Sequence, residues 1–330
     1  MYLAGDIGGT RSRLSLFARG PKGTRLVRHD VLESRKFTSL EAVLRAYLGK
    51  AAPTGQAAAF GVAGPVVNGR SHVTNLGWDV DARALERKLG IARVTLLNDL
   101  VALAVGTLDV PRSKMRLLGK AGAPRRRGAN VAVLAAGTGL GEAMLVWDDR
   151  SERFVPSPTE GGHSDFAPAD EVQDELLAFL RERFGQHVSW ERILSGDGLG
   201  NLYDFFHEGR GLPESRQHAA AIAAAPDRNE VIAQLGSAGR SKPAGRAVEL
   251  FASIYGAEAG NLALKTLAVG GVYVCGNIAA QMLPVLARGA FHRAFVAKGR
   301  QRPLLERIPL AVVLDTGLGL AGATRVALQK

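Results

Sequence analysis

Val131-Ala132-Val133-Leu134-Ala135-Ala136-Gly137-Thr138-Gly139-Leu140-Gly141-Glu142-Ala143-Met144-Leu145-Val146 is the stretch that decides the fold. An apolar run ends on a glycine turn and a second apolar run follows at once, the pattern of a buried strand, a tight turn and a returning strand. The chain opens in the same order: Tyr2 to Ile7 reads as a strand, Gly8-Gly9-Thr10 as the turn and Arg13 to Phe17 as the return. The sequence therefore looks duplicated, each half beginning on a hairpin whose turn exposes backbone N–H groups and carries no bulky side chain. Such a turn can cradle phosphate, and a plain β-hairpin is the alternative reading of each. Taken together, the two turns suggest a nucleotide held between two domains.

Working outward, Val94 to Leu97 is a β-branched and apolar strand that stops on Asn98 and Asp99. A carboxylate at the C-terminal end of a strand can accept a hydroxyl proton, and the neighbouring amide can fix that hydroxyl; the competing reading is a turn or a helix cap. Before it come a helix over Ser39 to Leu48, a strand over Ala57 to Ala63, a polar loop Thr74 to Trp78 and a helix over Asp81 to Leu89. The Trp78 ring can line a sugar site or plug a core edge. In the second half, Pro158 to Phe166 has no helical or strand period. Its glycines leave Glu160 and His163, three residues apart, free to face one small ligand. A metal site that also uses Asp165 is the competing reading, and a solvated loop is the plain one. Asp170 to Phe184 is an amphipathic helix, and Glu191 sits at a loop or helix start. Residues 216 to 268 are Ala-rich and mostly helical with breaks near Pro226 and Pro243, and Ala247 to Leu267 is a helix apolar all round, hence buried. Gly270 to Asn277 is a buried strand closed by a glycine turn, Ala311 to Asp315 a strand and Gly317 to Leu328 a terminal helix.

Composition narrows the class. With 330 residues, 46% of them hydrophobic and 22% charged, the chain is globular and long enough for two domains. The N-terminus lacks a basic n-region, no long window is free of charge and glycine, and the single Cys275 allows neither an internal disulfide nor a Cys-rich zinc site. These features lead to the expectation of a cytoplasmic protein without a membrane partner. An excess of 42 Lys and Arg over 31 Asp and Glu gives +11, but the basic residues are scattered. The run Arg125-Arg126-Arg127 reads as a solvated loop, and with no nucleic-acid motif beside the charge, nucleic acid is not the expected partner. Gly317-Leu318-Gly319-Leu320-Ala321-Gly322 matches a dinucleotide fingerprint, yet too little chain follows for the rest of the unit, so close helix packing explains it better. No Walker-type or protein-kinase signature is present.

Asp6-Ile7-Gly8-Gly9-Thr10, Asn98-Asp99, Gly137-Thr138-Gly139-Leu140-Gly141-Glu142, Glu160-Gly161-Gly162-His163 with Asp165-Phe166-Ala167-Pro168, and Glu191 through Ser195-Gly196 together resemble, in order, the bacterial glucokinase family. The resemblance implies a two-domain α/β fold of the hexokinase/actin-like, ribonuclease H-like kind with its active site in the interdomain cleft. The small domain would be residues 1 to 110 completed by the helix 316–330, and the large domain residues 111 to 315. It further implies ATP-dependent phosphorylation of glucose at the 6-hydroxyl. Asp99 would be the catalytic base, and Asn98, Glu160, His163 and Glu191 would hold the sugar. Gly8, Gly9, Thr10, Gly137, Thr138 and Gly139 would meet the nucleotide phosphates, with Gly270, Gly271 and Gly276 bordering the adenosine. Asp6 would face Mg²⁺ through water, with no direct protein ligand to the metal. Asn277 stands where the family often continues with glycine, which touches the base pocket and not the chemistry. The Cys-rich zinc motif of the related repressor, open-reading-frame and kinase group is absent. A polyphosphate donor and a non-catalytic sugar-sensing regulator of the same fold are the alternatives, and a homodimer is left open.

Overall fold

The computed structural model describes residues 1–20, 23–49, 55–124 and 127–329. The chain forms two compact units, one of Met1–Val110, Pro156–Pro158 and Asp315–Lys330, the other of Pro111–Val155 and Thr159–Leu314. Arg125 and Arg126 of the basic run lie outside the described residues.

In the first unit, β1 (Tyr2–Ile7), β2 (Arg11–Gly20), β3 (Gly23–Glu33), β4 (Ala57–Val62) and β7 (Val94–Asn98) form one sheet in the order β3-β2-β1-β4-β7, and β5 (Arg70–Val73) pairs with β6 (Trp78–Asp81). The hairpin β1-β2 is antiparallel, with Ile7 opposite Ser12, whereas β4 runs parallel to β1 and to β7. Every residue of β4 is buried, as expected for a parallel strand covered on both faces. Helix α1 (Leu40–Leu48), capped by the Ser39 hydroxyl accepting from the Ala42 N–H, buries Leu40, Val43, Leu44 and Tyr47 against Leu3 and Phe60. Helix α2 (Ala82–Leu89) is capped by Asp81, and α3 (Asp99–Thr107) follows β7 directly. The terminal helix Leu318–Leu328 packs on α3, β1 and β4. It does so closely, because a Cβ on Gly322 would collide with the Ala102 carbonyl and one on Gly106 with that of Leu318. Trp78 opens a strand and is 4% exposed, so it fills the core of this unit and lines no sugar site. The edge strand β3 has no counterpart in the sequence reading; nearly all its residues are exposed, so no apolar alternation marks it.

The second unit repeats the scheme. Its sheet has the order β11-β10-β9-β12-β13-β8, built from β8 (Met115–Leu118), β9 (Val131–Ala136), β10 (Leu140–Asp148), β11 (Arg153–Thr159), β12 (Gly271–Cys275) and β13 (Leu310–Val313). Strands β9 and β10 form the expected antiparallel hairpin with Leu140 opposite Ala136, and β9, β12 and β13 run parallel. Strand β11 was unmarked in the sequence because Pro156 and Pro158 interrupt it, which an edge position tolerates. The long helix Lys242–Thr266 corrects the expectation at both ends. Ser241 caps it and Pro243 lies in its first turn, where a missing N–H costs nothing, so this proline starts the helix and does not break it. Leu267 ends it in the left-handed region, 55% exposed. Nor is the helix apolar all round: Glu258 is fully buried, and Arg246, Glu249 and Lys265 are exposed.

Candidate active site

In the first unit the candidate residues gather at one edge. Strands β1, β4 and β7 are parallel, with Asp6 level with Gly61 and Val62 level with Asn98, so the Gly8-Gly9-Thr10 turn and the Asn98-Asp99 pair both leave from the C-terminal ends of these strands. In open α/β sheets that edge is where ligands bind. The turn is held from behind: the Gly8 N–H donates to the Arg11 carbonyl at 3.0 Å, the Ser34 hydroxyl to the Gly8 carbonyl at 2.7 Å, and the Ser34 N–H to the Thr10 carbonyl at 3.0 Å. The Asn98 side chain caps α3 by accepting from the Leu100 and Val101 N–H groups and donates its own amide to the Gly64 carbonyl at 3.1 Å. One Asp99 carboxylate oxygen accepts from the Leu100 N–H at 2.9 Å. The capping reading and the site reading thus describe the same residues. Asp6 pairs with Arg13 at 3.1 Å; burial raises its pKa, and Arg13 opposes the rise.

In the second unit three separate stretches are knitted together. The Gly196 N–H donates to the Gly137 carbonyl at 2.9 Å, and Leu140 donates its N–H to Glu191 Oε2 at 3.0 Å. Glu191 fits only because Gly139 has no side chain; a Cβ there would collide with the carboxylate. The segment after Glu160 is one 3₁₀ turn, Gly161–His163, and Gly162 rests directly on the Leu140 carbonyl. Hydrogen bonds from the Phe166 N–H to the Val188 carbonyl (2.8 Å) and from the Trp190 N–H to the Ser164 carbonyl (3.1 Å) tie this turn to the segment carrying Glu191. As a result His163 stands between two carboxylates, its Nε2 4.0 Å from Glu160 and its Nδ1 4.0 Å from Glu191. Asp165 turns instead to His187 at 2.9 Å. Among the described residues no group of three or more His, Cys, Asp or Glu side chains could hold a metal ion, so the metal reading of this loop finds no support. Gly276 leaves β12 beside the Gly137 turn and lies against the Ala136 carbonyl. A cavity of about 270 Å³ opens next to Thr138 and Glu191, lined further by Arg192, Ser195, Asn201 and Asn229.

Sequence reasoning missed the supports. Ser34, which props the first turn, and Glu142, which lies under Gly161, come from far along the chain or from a position that reads as ordinary motif. Among the described residues no helix is long and apolar enough to cross a membrane.

Two α/β units, each with a glycine turn joining the two strands of an antiparallel hairpin and a parallel set of strands beside that hairpin, define the hexokinase/actin-like fold of sugar kinases and related ATPases. The chain belongs to the glucokinase family, whose model matches residues 3–330. It is 35% identical over 340 residues to a glucokinase of Nostoc punctiforme, covering 99% of this chain and 98% of that protein. A glucokinase of Marinobacter nauticus is 37% identical over 323 residues, covering 97% and 95%. Among solved structures, the glucokinase of an Antarctic psychrotroph superposes with a TM-score of 0.82 at 27% identity, covering 98% of each chain.

Proposed function

We propose that this chain transfers the terminal phosphoryl group of ATP to the 6-hydroxyl of glucose in the cytoplasm, the step that commits the sugar to breakdown. The observation that carries the reading is the imidazole of His163 standing 4.0 Å from both Glu160 and Glu191 on a frame that also holds the Gly137–Gly139 turn. Hexose hydroxyls both donate and accept, so a specific site needs carboxylate, imidazole and amide groups in number. Glu160 and Glu191 accept from hydroxyls, and His163 offers one ring nitrogen to donate and one to accept. Asn98 orients the 6-hydroxyl and Asp99 takes its proton as the oxygen attacks the terminal phosphorus; the new O–P bond forms while the bond to the bridging oxygen breaks and ADP leaves. The reading requires that these groups of the two units engage one sugar molecule.

The residues at the turns fit a nucleotide with its metal. A side chain at Gly137 would meet nothing within 4 Å, so phosphate oxygens can approach this turn, in which the Gly137 N–H itself donates to the Gly139 carbonyl at 2.8 Å. Asp6 keeps a carboxylate oxygen beyond the one engaged by Arg13, enough to hold a water of hydrated Mg²⁺. Bound there, Mg²⁺ would neutralise charge on the phosphates. Gly276, whose φ of +92° suits glycine, would border the adenosine.

The test is incubation with ATP and, in turn, glucose, fructose and mannose, with the phosphorylated carbon located by NMR. Glucose 6-phosphate is expected, with glucose the preferred sugar. Tight glucose binding by calorimetry without any sugar phosphate formed would overturn the reading in favour of a sensor.

A further inference from the structure

Strand β10 and the long helix Lys242–Thr266 bury two carboxyl groups that the proposed chemistry does not use. Glu142 is 2% exposed and Glu258 0%. Taken as two carboxylates, Oε1 of each is buried without a hydrogen-bond partner. Leaving two such charges side by side in the interior is costly, and one shared proton turns the repulsion into a hydrogen bond. The surroundings say which group keeps the charge. Glu258 Oε2 accepts from the Asn261 amide at 2.8 Å, its Oε1 lies 3.6 Å from Lys265 Nζ, and Lys298 Nζ donates to Asn261 Oδ1 at 2.6 Å. Glu142 has none of these bonds. Burial first, and then the charge of Glu258, push its carboxyl up to about 8, with Lys265 acting against the rise. Tyr255, the other titratable group of the helix facing Glu142, is pushed far up by burial. Burial lowers Lys298, and Glu258 opposes that shift.

The direction in which Glu142 points gives the pair its consequence. Its Oε2 occupies the space a side chain at Gly161 would need. Its backbone carbonyl accepts from the Thr159 hydroxyl at 3.5 Å, and the same hydroxyl accepts from the Gly161 N–H at 3.0 Å. Glu142 therefore forms the floor of the turn that carries Glu160 and His163. We propose that Glu142 is a positioning residue for this turn, holding it through Gly161 and Thr159 while sharing one proton with Glu258. The inference rests on the sugar-binding reading of Glu160 and His163. Loss of the shared proton places a second negative charge under Gly161, and the turn moves off the geometry that fits the sugar.

The experiment measures KM for glucose and kcat at saturating ATP from about pH 6 to about pH 9, a window spanning the titration of a carboxyl raised to about 8, for the wild type, Glu142→Gln and Glu258→Gln. In the wild type, KM should rise about fivefold or more across the alkaline half of the window, equivalent to roughly 1 kcal/mol of lost sugar binding. Glu142→Gln keeps the shape and donates an amide hydrogen to Glu258, so its KM should stay flat; Lys265, Lys298 and Tyr255 are all retained in that variant and cannot account for the difference. Glu258→Gln removes the like charge but leaves Glu142 buried, so the rise in KM should persist and move to lower pH. A group with a raised folded-state pKa contributes stability that is full below its unfolded pKa and is lost as pH rises through the folded value. The Tm of Glu142→Gln relative to wild type should therefore climb from about pH 5 to about pH 8. A purely structural carboxyl would shift KM equally at every pH. An alkaline rise that survives in Glu142→Gln, or a wild type without one, overturns the proposal. Absence of any glucose turnover in the wild type would instead sink the functional reading, while the Tm comparison would still report the shared proton.

Discussion

Asp99 carries the largest share of the proposed chemistry. The α3 cap is made by Asn98, and an Asp99 carboxylate oxygen also accepts from the Leu100 N–H. Asp99→Asn keeps an oxygen for that bond and leaves the cap intact, while removing the group that accepts the hydroxyl proton. General-base catalysis contributes typically ~10²–10⁴-fold, so kcat should fall by at least ~10²-fold with glucose affinity by calorimetry nearly unchanged. A variant within a few-fold of wild-type kcat would remove Asp99 from the role of base. Candidates of this kind are legible because the proposed function demands their type: a carboxylate at a strand end, or an imidazole and a carboxylate set among glycines. Glu142 and Glu258 are not. Each alone reads as an ordinary charge on a strand or a helix, and their burial follows from tertiary packing that no local period encodes. The same holds for Ser34, whose hydroxyl supports a turn far from it in sequence.

At the scale of elements, the glycines divide into those that permit close approach and those that merely cost helix stability. Gly322 in the terminal helix meets the Ala102 carbonyl of α3, a backbone atom that cannot swing away. Gly322→Ala should therefore destabilise by ~1–3 kcal/mol or more, as overpacked cores do. Gly245 lies within the long helix, and a Cβ there would meet nothing within 4 Å. Gly245→Ala should stabilise by up to ~1 kcal/mol, the propensity difference between the two residues. Urea titrations of both variants decide the matter: equal or same-signed effects would contradict the packing described here. The nucleotide-like fingerprint at Gly317 to Gly322 thus serves packing, with Gly322 against Ala102 and Gly319 against Asp6, while hairpins, buried strands and capped helices are legible from local pattern. What the pattern hid was β3, exposed along nearly its whole length, and β11, interrupted by prolines at a sheet edge. Both are held by pairing to a neighbour, and their own sequences carry no apolar period to announce it. Pro243 misled for the opposite reason, since proline marks a helix start as readily as a stop.

For the molecule as a whole, charge and site make different demands on the phosphoryl donor. A net +11 would favour a polyanion if binding were governed by the summed surface. Attraction between exposed charges is largely screened beyond roughly 8 Å at physiological salt, however, so under the proposed reading the groups at the turns choose the donor. Those groups are glycine-turn amides with three arginines of the cavity beside Thr138, and of these Arg183 and Arg228 are already paired with Asp204. From Gly137 to Glu142 there is no Lys or Arg, and of the two arginines after the first turn, Arg13 is already engaged by Asp6 at 3.1 Å. A polyphosphate chain needs a continuous basic groove, whereas a nucleotide needs a phosphate turn and a nearby place for its base, and Gly276 leaves β12 beside such a turn. ATP with Mg²⁺ should therefore exceed polyphosphate in kcat/KM by at least ~10-fold, about 1.4 kcal/mol of differential transition-state binding. The measurement compares the two donors at matched Mg²⁺ and saturating glucose, at low and at physiological salt. If the advantage of ATP holds at both, the local groups decide; if polyphosphate overtakes ATP at low salt and falls back when salt is added, the surface charge does. Polyphosphate equal to or better than ATP at physiological salt would overturn the assignment and make Arg11 and Arg13 the first residues to replace.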